Sequence, residues 1–182
     1  EEKHFLGKLD YIKDIKNNFK TPVLAKDFFI DPYQIALSKS YGSDCILIIV
    51  AALDHKLADE IYTEAIRHKI SVIVEVHDNK EAEIALKYED ALIGINNRNL
   101  KTLDVSINNT ISIFDTLKEQ KINIDKSINL SNLIKNKNFI VSESGIDIKN
   151  IKKIKEATNI KTFLIGGSIL NSSKTLNYIN KL

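Results

Sequence analysis

Short apolar segments rich in β-branched residues alternate along the chain with amphipathic, charged segments. An apolar run without period-two alternation predicts a strand covered on both faces, which is typical of a parallel sheet. Strands and helices that alternate at this spacing form right-handed βαβ units. The sequence therefore predicts an α/β fold with six parallel strands, at residues 22–25, 45–50, 72–76, 91–95, 139–142 and 162–165.

The amphipathic segments predict the helices of these units. Asp31 is a favourable N-cap, Pro32 suits the first helical position, and Gly42 suits the end of the same helix. In segments 56–68 and 79–87, the apolar residues would form one stripe along a helix, as on a helix that packs against a sheet. We expect helices from the first residues through Asn18 and at 32–41, 56–68, 79–87, 109–119, 148–157 and 175–182.

The polar segment Gln120–Asn138 is long for a connection between a helix and the next strand. We interpret it as a surface insertion with one helical turn around residues 130–134. The chain has no internal repeat beyond the βα unit itself. Residues 1–182 are therefore predicted to form one domain.

Composition narrows the class of protein. The 182 residues are 43% hydrophobic and 27% charged, with a net charge of +2. This composition predicts a globular domain that lacks the basic face of a nucleic-acid-binding protein, so no nucleic-acid partner is expected. The apolar runs are too short to span a membrane, so no membrane partner is expected. Cys45 is the single cysteine, which excludes a disulfide within the chain and favours a cytoplasmic setting.

Polar or glycine residues end nearly every predicted strand. A doubly wound sheet would concentrate its site at one switch point, whereas a barrel takes functional residues from the carboxyl ends of many strands. This distribution favours a (β/α) barrel. The strand-end residues are Lys26, Glu75, Asn96, Arg98, Glu143, Ser144, Gly166 and Gly167.

Glu75 is the clearest candidate for chemistry, because it interrupts the apolar run 72–76. Burying a carboxylate is unfavourable unless it faces a polar site, where it is suited to proton transfer. The simpler interpretation is a strand-end carboxylate facing solvent. Lys26 could act as a general acid or hold an anion, although a lone lysine is more often a surface residue, here paired with Asp27.

Two glycine-rich turns follow the last two predicted strands. Gly145 follows Glu143-Ser144, and Gly166-Gly167 precede Ser168. Backbone N–H groups in such loops form the common phosphate site of barrels. The simpler interpretation is two turns that only connect elements.

His77 follows Glu75 by two residues, so both point to one face if the strand continues. We interpret His77 as a loop residue or as support for the site, because no second His or Cys lies at metal-ligand spacing. The sequence also has no nucleotide-binding glycine fingerprint and no nucleophile elbow. No metal is expected.

Five runs resemble indole-3-glycerol phosphate synthase, in the same order and at the same spacing. The runs around Lys26-Asp27-Phe28 and Glu143-Ser144-Gly145 are the most specific. Together the five extend over nearly the whole chain. They are residues 22–34, 74–78, 94–100, 141–146 and 164–168.

The resemblance implies a (β/α)8 barrel and a carboxy-lyase of tryptophan biosynthesis. That enzyme converts a carboxyphenylamino-deoxyribulose phosphate to indole-3-glycerol phosphate, losing CO2 and water, and uses no metal or organic cofactor. Its implied catalytic residues are Lys26, the general acid of ring closure, Glu75, which transfers a proton during dehydration, and Asn96, which positions the substrate. The implied substrate-binding residues are Phe28, Arg98, Glu143 and Ser144, and Gly145, Gly166 and Gly167 surround the phosphate.

The chain departs from the family near its beginning. The family's first strand carries a Lys-x-Ser-Pro-Ser-like run with a second Lys and a Glu, and no such run is present here. The first residue is Glu1 and the chain has no Met. We therefore expect a barrel lacking its first two strands, with a missing N-terminal segment or a separate fragment as partner. Gly167 stands where the family usually has a serine, which keeps the backbone donors but loses a hydroxyl.

Three functions remain open. The chain could be the larger part of an active synthase, or an inactive remnant that still binds phosphate. It could also be another phosphate-binding barrel, such as phosphoribosylanthranilate isomerase or the α subunit of tryptophan synthase. The joint presence of the runs around Lys26, Glu75 and Asn96 favours the synthase.

Overall fold

The computed structural model describes residues 2–119, 140–173 and 175–180. Across these residues, strands and helices alternate as the sequence predicts. The strands are β1 (Leu24–Ala25), β2 (Cys45–Ile49), β3 (Ser71–Val76), β4 (Leu92–Asn96), β5 (Ile140–Glu143) and β6 (Thr162–Leu164). The helices are α1 (Glu2–Phe5), α2 (Leu9–Asn18), α3 (Tyr33–Ser40), α4 (His55–Arg67), α5 (Asn79–Ala85), α6 (Asn108–Glu119), α7 (Ile151–Thr158), α8 (Gly167–Leu170) and α9 (Thr175–Ile179).

Each of the six predicted strands overlaps an observed strand, and the α/β class is confirmed. The predicted N-terminal helix is divided into α1 and α2, with Leu6 in the left-handed region at φ 55°. Helix α3 begins at Tyr33, one residue later than predicted, so Pro32 and not Asp31 is its N-cap. Asp31 Oδ1 still accepts a hydrogen bond from the N–H of Tyr33 at 2.8 Å, and Gly42 follows the helix at φ 96°. The turn predicted around residues 130–134 lies outside the described residues.

The chain forms two compact units, and unit 1 comprises Glu1–Glu75 and Lys87–Ala91. Its strands β1, β2 and β3 are parallel, with Leu24 paired to Cys45 and Ile49 paired to Glu75. Alternate side chains of β2 and β3 are fully buried on one face together with residues of α3 and α4, and Leu47 and Ile73 are buried on the opposite face. The core residues are Ile35, Ile46, Ile48, Ile61, Ala65, Val72 and Val74.

The segment Lys87–Ala91 is held to α4 by a buried tyrosine. Tyr88 is 4% exposed and donates its hydroxyl proton to Asp59 Oδ1 at 2.8 Å. Its ring lies 4.8 Å from the ring of Tyr62, and burial raises the pKa of the Tyr88 phenol. The hydroxyl is therefore a permanent donor to Asp59 at neutral pH.

Unit 2 comprises Val76–Leu86 and Leu92–Leu182. Its strands β4, β5 and β6 are parallel, and Asn96 pairs with Glu143, which pairs with Leu164. Helix α6 packs against β4, α5 and α7. The buried core of unit 2 includes Ile95, Ile113, Leu117 and Ile154. Among the described residues, no helix is long and apolar enough to cross a membrane.

Asp44 joins α2 to the sheet of unit 1. Its Oδ2 accepts hydrogen bonds from Lys16 Nζ at 2.9 Å and from Val23 N at 2.7 Å. These two donors hold the pKa of the Asp44 carboxyl below its usual value of 3.8. Since the folded-state pKa is the lower one, the stabilisation is complete above the unfolded pKa and is lost as the pH falls through the folded pKa.

We expect Asp44→Asn to lower the free energy of unfolding at pH 7 by about 1 kcal/mol or less, because the side chain is partly exposed and solvent screens the ion pair. The deficit relative to the unsubstituted chain should shrink as the pH falls below about 4, where the carboxylate becomes protonated. Urea unfolding at a series of pH values measures both effects. A deficit that stays constant across the series would contradict this role of the Asp44 charge.

Candidate active site

The side chains of Lys26 and Glu75 meet at the carboxyl ends of β1 and β3. Lys26 directly follows β1, and its Nζ lies 3.2 Å from Oε2 of Glu75. Glu75 is 3% exposed, whereas the lysine side chain is 48% exposed. The ammonium compensates a carboxylate that would otherwise be costly to bury. The structure thus places an acid and a carboxylate within hydrogen-bonding distance, with solvent access from the lysine side.

Phe28 lines a small cavity of unit 1 next to this ion pair. The cavity has a volume of about 190 Å³ and is lined by Phe5, Lys26, Asp27, Phe28, Leu47 and Ile49. The Phe28 side chain is 45% exposed, and its ring centroid lies 6.4 Å from that of Phe5. An apolar pocket with a charged group at its edge suits an aromatic ligand that carries a polar group.

Asn96 and Glu143 form a second group of polar residues, in unit 2. Because they are paired in register on β4 and β5, their side chains point to the same face of the sheet. Both are buried, at 7% and 1% exposure. Asn96 Oδ1 accepts the N–H of Arg98 at 2.9 Å, which fixes the direction of the chain as it leaves β4.

Arg98 begins a compact loop that returns at Val105. The two residues form an antiparallel bridge, and Arg98 Nη1 donates to the carbonyl of Leu103 at 3.0 Å. Asn99 N donates to the carbonyl of Asp104 at 2.8 Å. The guanidinium therefore stabilises its own loop, and the implied contact with substrate stays a prediction.

Ser144 and Gly145 form a strained turn immediately after Glu143. Both have left-handed backbone conformations, at φ 66° and 69°. Val105 packs so closely against Gly145 that a Cβ at this glycine would overlap the valine Cγ1. Two requirements therefore fix glycine at this position, the backbone conformation and the closeness of the neighbouring loop.

Gly166 and Gly167 form the beginning of α8. A Cβ at either position would meet nothing within 4 Å, so the space around the turn is open. N–H groups in the first turn of a helix have no partner inside it. Ser168 Oγ donates to the carbonyl of Ile146 at 2.7 Å and so ties this turn to the segment that follows β5. The space and the donors suit an anion, and the phosphate role stays a prediction.

The sequence did not predict the buried network around Asn97, a residue of the run 94–100. Asn97 is 2% exposed and contacts Thr110, Ser142 and Ser144 through hydrogen bonds of its side chain. Thr110 Oγ1 and Ser142 Oγ also lie 2.7 Å apart. A serine in the middle of the apolar strand β5 was the available signal in the sequence.

Asn109 was also missed. Its Nδ2 donates to the carbonyl of His77 at 3.0 Å and to that of Asn96 at 2.8 Å. Asn109 and Thr110 are successive residues of the first turn of α6, so this turn holds the chain at several strand ends. The sequence placed both residues in a helix but gave no sign of these contacts.

His77 contacts Glu81 of α5 through both its backbone and its side chain. Its Nδ1 lies 3.1 Å from Glu81 Oε2, and the same oxygen accepts the His77 N–H at 2.7 Å. Asp78 caps α5 by accepting the Glu81 N–H at 2.9 Å. Within residues 2–119, 140–173 and 175–180, no group of three or more His, Cys, Asp or Glu side chains could hold a metal ion.

Comparison with known proteins decides the family. The sequence profile of the family described as indole-3-glycerol phosphate synthase matches residues 1–127. The chain belongs to the indole-3-glycerol phosphate synthase family. Curated relatives bear the same name: one from Polaromonas sp. is 36% identical over 173 residues, which is 94% of this chain and 59% of the relative.

Two further synthases give the same result. The Burkholderia multivorans protein is 35% identical over 174 residues, covering 96% of this chain and 60% of the relative. The Delftia acidovorans protein is 35% identical over 184 residues, covering 100% of this chain and 62% of the relative. The chain thus spans about three fifths of the length of the synthases it matches.

Solved structures support the fold alone, because their sequences are distant. A 3-hexulose-6-phosphate synthase from Salmonella typhimurium matches with a TM-score of 0.67 at 13% identity, covering 95% of this chain and 77% of that one. A 3-keto-L-gulonate-6-phosphate decarboxylase from Vibrio cholerae gives 0.67 at 11% identity, covering 98% and 78%. A phosphoribosylanthranilate isomerase from Thermotoga maritima gives 0.59 at 13% identity, covering 96% and 76%.

We expect Gly145→Ala to lower the free energy of unfolding by about 2 kcal/mol or more, because it combines an unfavourable positive φ with overlap at Val105. Gly167→Ala is the matched control and should change stability by less than about 0.5 kcal/mol, since its surroundings are open. Denaturant unfolding compares the two variants. Adding Val105→Ala to Gly145→Ala should restore the part due to overlap, and equal losses in the two glycine variants would contradict the close packing.

Proposed function

We propose that this chain carries catalytic residues of an indole-3-glycerol phosphate synthase, with Lys26 and Glu75 at the reacting centre. The observation that supports this most strongly is the ion pair between them at 3.2 Å, formed at two strand ends in a chain of the synthase family. A structural ion pair needs no solvent access, whereas here the ammonium is half exposed beside a cavity. That arrangement suits a proton donor that meets a ligand.

In the proposed reaction, the ring carbon that bears the carboxylate attacks the ketone carbonyl of the substrate side chain. A new carbon–carbon bond forms, and Lys26 donates a proton to the oxygen that develops negative charge. Loss of CO2 returns the electron pair of the broken bond to the ring. The hydroxyl then leaves as water, and Glu75 takes part in the proton transfer that this dehydration requires.

The remaining site residues would bind the rest of the substrate. Phe28 would contact the aromatic ring, because it lines the apolar cavity next to Lys26. The phosphate oxygens would accept hydrogen bonds from backbone N–H groups of the turns at Gly145, Gly166 and Gly167. Asn96, Arg98, Glu143 and Ser144, which all belong to unit 2, would bind hydroxyl groups of the substrate. The substrate is thus a small phosphorylated molecule, no metal or organic cofactor is needed, and the cytoplasm is the expected compartment.

A closed eight-stranded barrel is part of the same proposal. The synthase chemistry uses a second Lys and a Glu from a Lys-x-Ser-Pro-Ser-like run, which these 182 residues do not contain. We propose that a segment outside these residues, in the same or a separate chain, contributes them with two strands. Without such a segment the chain would be an inactive remnant, and that is one outcome of the test.

The test is formation of indole-3-glycerol phosphate, followed by its fluorescence, with and without an N-terminal fragment of the Polaromonas relative. We expect product when the fragment is present. Lys26→Met and Glu75→Gln should each lower kcat by about 100-fold or more, the usual contribution of a general acid or base.

Lys152→Met and Glu156→Gln are the matched controls, because these residues form an exposed ion pair on α7. Both should keep the activity of the unsubstituted protein. A folded chain that makes no product with the fragment present would contradict the proposed function. Full activity of the Lys26 and Glu75 variants would contradict the assigned roles alone.

A further inference from the structure

We infer that Asn97 is a positioning residue for the proposed reaction, and that it acts by holding the end of β5 that carries Glu143 and Ser144. The inference rests on the proposed function, since it concerns the same site. Asn97 lies between Asn96 and Arg98 in the sequence, but its side chain is turned into the protein and is 2% exposed. The hydrogen bonds of Asn97 identify the segment that it holds in place.

The side-chain amide of Asn97 uses its full hydrogen-bonding capacity. Oδ1 accepts from Thr110 N at 3.1 Å and from Thr110 Oγ1 at 2.8 Å. Nδ2 donates to Ser142 Oγ and to the carbonyl of Ser144, both at 3.2 Å. Two donors and two acceptors are therefore satisfied, and the opposite orientation of the amide would set oxygen against the Ser144 carbonyl.

The main chain of Asn97 adds a contact to the same segment. Its N–H donates to the carbonyl of Glu143 at 2.9 Å. Asn97 therefore bonds three successive residues, through the Ser142 hydroxyl, the Glu143 carbonyl and the Ser144 carbonyl. A single residue fixes the path of the chain through the predicted substrate-binding positions.

The turn at Ser144 and Gly145 must be restrained by its neighbours, because its backbone conformation is unfavourable. Ser144 has φ 66°, which is uncommon for a residue with a Cβ, and Gly145 follows at φ 69°. Such strain persists only where the surroundings impose it, and it concentrates at functional sites. The Nδ2 bond to the Ser144 carbonyl is a contact that imposes it, so it sets the direction of the chain directly after Glu143.

Thr110 holds the amide from the other side. It is fully buried, and it is bonded to both Asn97 Oδ1 and Ser142 Oγ. Since Thr110 lies in the first turn of α6, the helix serves as the rigid base of the network. A residue held in this way can keep reacting groups within the narrow tolerance that catalysis needs.

The deciding variant is Asn97→Asp, which keeps an acceptor for Thr110 but replaces the Nδ2 donor with an oxygen that repels the Ser144 carbonyl. The matched pair is Thr110→Val, which removes the hydroxyl, and Thr110→Ser, which retains it. All are assayed for indole-3-glycerol phosphate formation together with the N-terminal fragment. Amide hydrogen exchange is measured on the same proteins.

We expect Asn97→Asp to lower kcat by about 100-fold, the scale of loss that a misplacement of about 1 Å produces. Thr110→Val should lower kcat in the same direction, and Thr110→Ser should restore it. Exchange of the Asn97 amide, which donates to Glu143, should become at least about tenfold faster, while exchange of the Val72 amide in β3 stays unchanged. A role in stability alone would instead accelerate exchange at both amides and leave kcat of the folded fraction intact.

The outcomes separate the two proposals. If the unsubstituted protein makes product and folded Asn97→Asp keeps full kcat, the inference is overturned while the proposed function stands. If the unsubstituted protein makes no product, the proposed function fails, and exchange then decides whether Asn97 holds the segment. Unchanged hydrogen exchange of the backbone amide at position 97 in the Asn97→Asp variant would overturn the inference in either case.

Discussion

The candidate site depends on the parallel, in-register pairing of the strands within each unit. Pairing of Ile49 with Glu75 in unit 1 and of Asn96 with Glu143 in unit 2 sets which side chains share a face of the sheet. Side chains alternate between the faces, so a slip of one residue would turn Glu75 to the face on which Val72 and Val74 are now buried. The hydrophobic core thereby fixes the register, and within each unit the register sets which strand-end side chains share a face.

Burial gives these polar groups their properties and demands compensation for each of them. Glu75 is compensated by Lys26, which reaches the same strand-end level from solvent. Asn97 is compensated by four hydrogen bonds that also restrain the segment after β5. Satisfied buried networks are rigid, and partly satisfied ones are costly. The interactions that stabilise the unusual Ser144–Gly145 turn are therefore the ones that would position substrate-binding groups.

Much of the fold could be predicted from the sequence, because apolar runs, caps and glycines are local signals. The run 72–76 indicated both a strand and a buried Glu75, and Asp31 and Gly42 indicated the limits of a helix. The partner of Glu75 could not be predicted, since Lys26 lies 49 residues away and only tertiary structure sets their distance. The Asn97 network joins residues 13 and 45 positions apart for the same reason. The strand-end pattern indicated most of the candidate site residues and the resemblance implied their roles, whereas the contacts that hold these residues depend on the tertiary structure.

We propose that residues of this chain bind indole-3-glycerol phosphate, the product of the synthase reaction, as part of the function proposed above. Indole-3-glycerol phosphate added to the isotope-labelled protein, followed by NMR, tests it most directly. We expect the phosphorylated ligand to shift the Gly167 and Ser168 amide signals, and its indole ring to shift the Phe28 amide signal. Indole-glycerol without phosphate should spare the two amides of α8. A folded protein whose Gly167, Ser168 and Phe28 signals stay unchanged at saturating ligand would contradict the proposed binding.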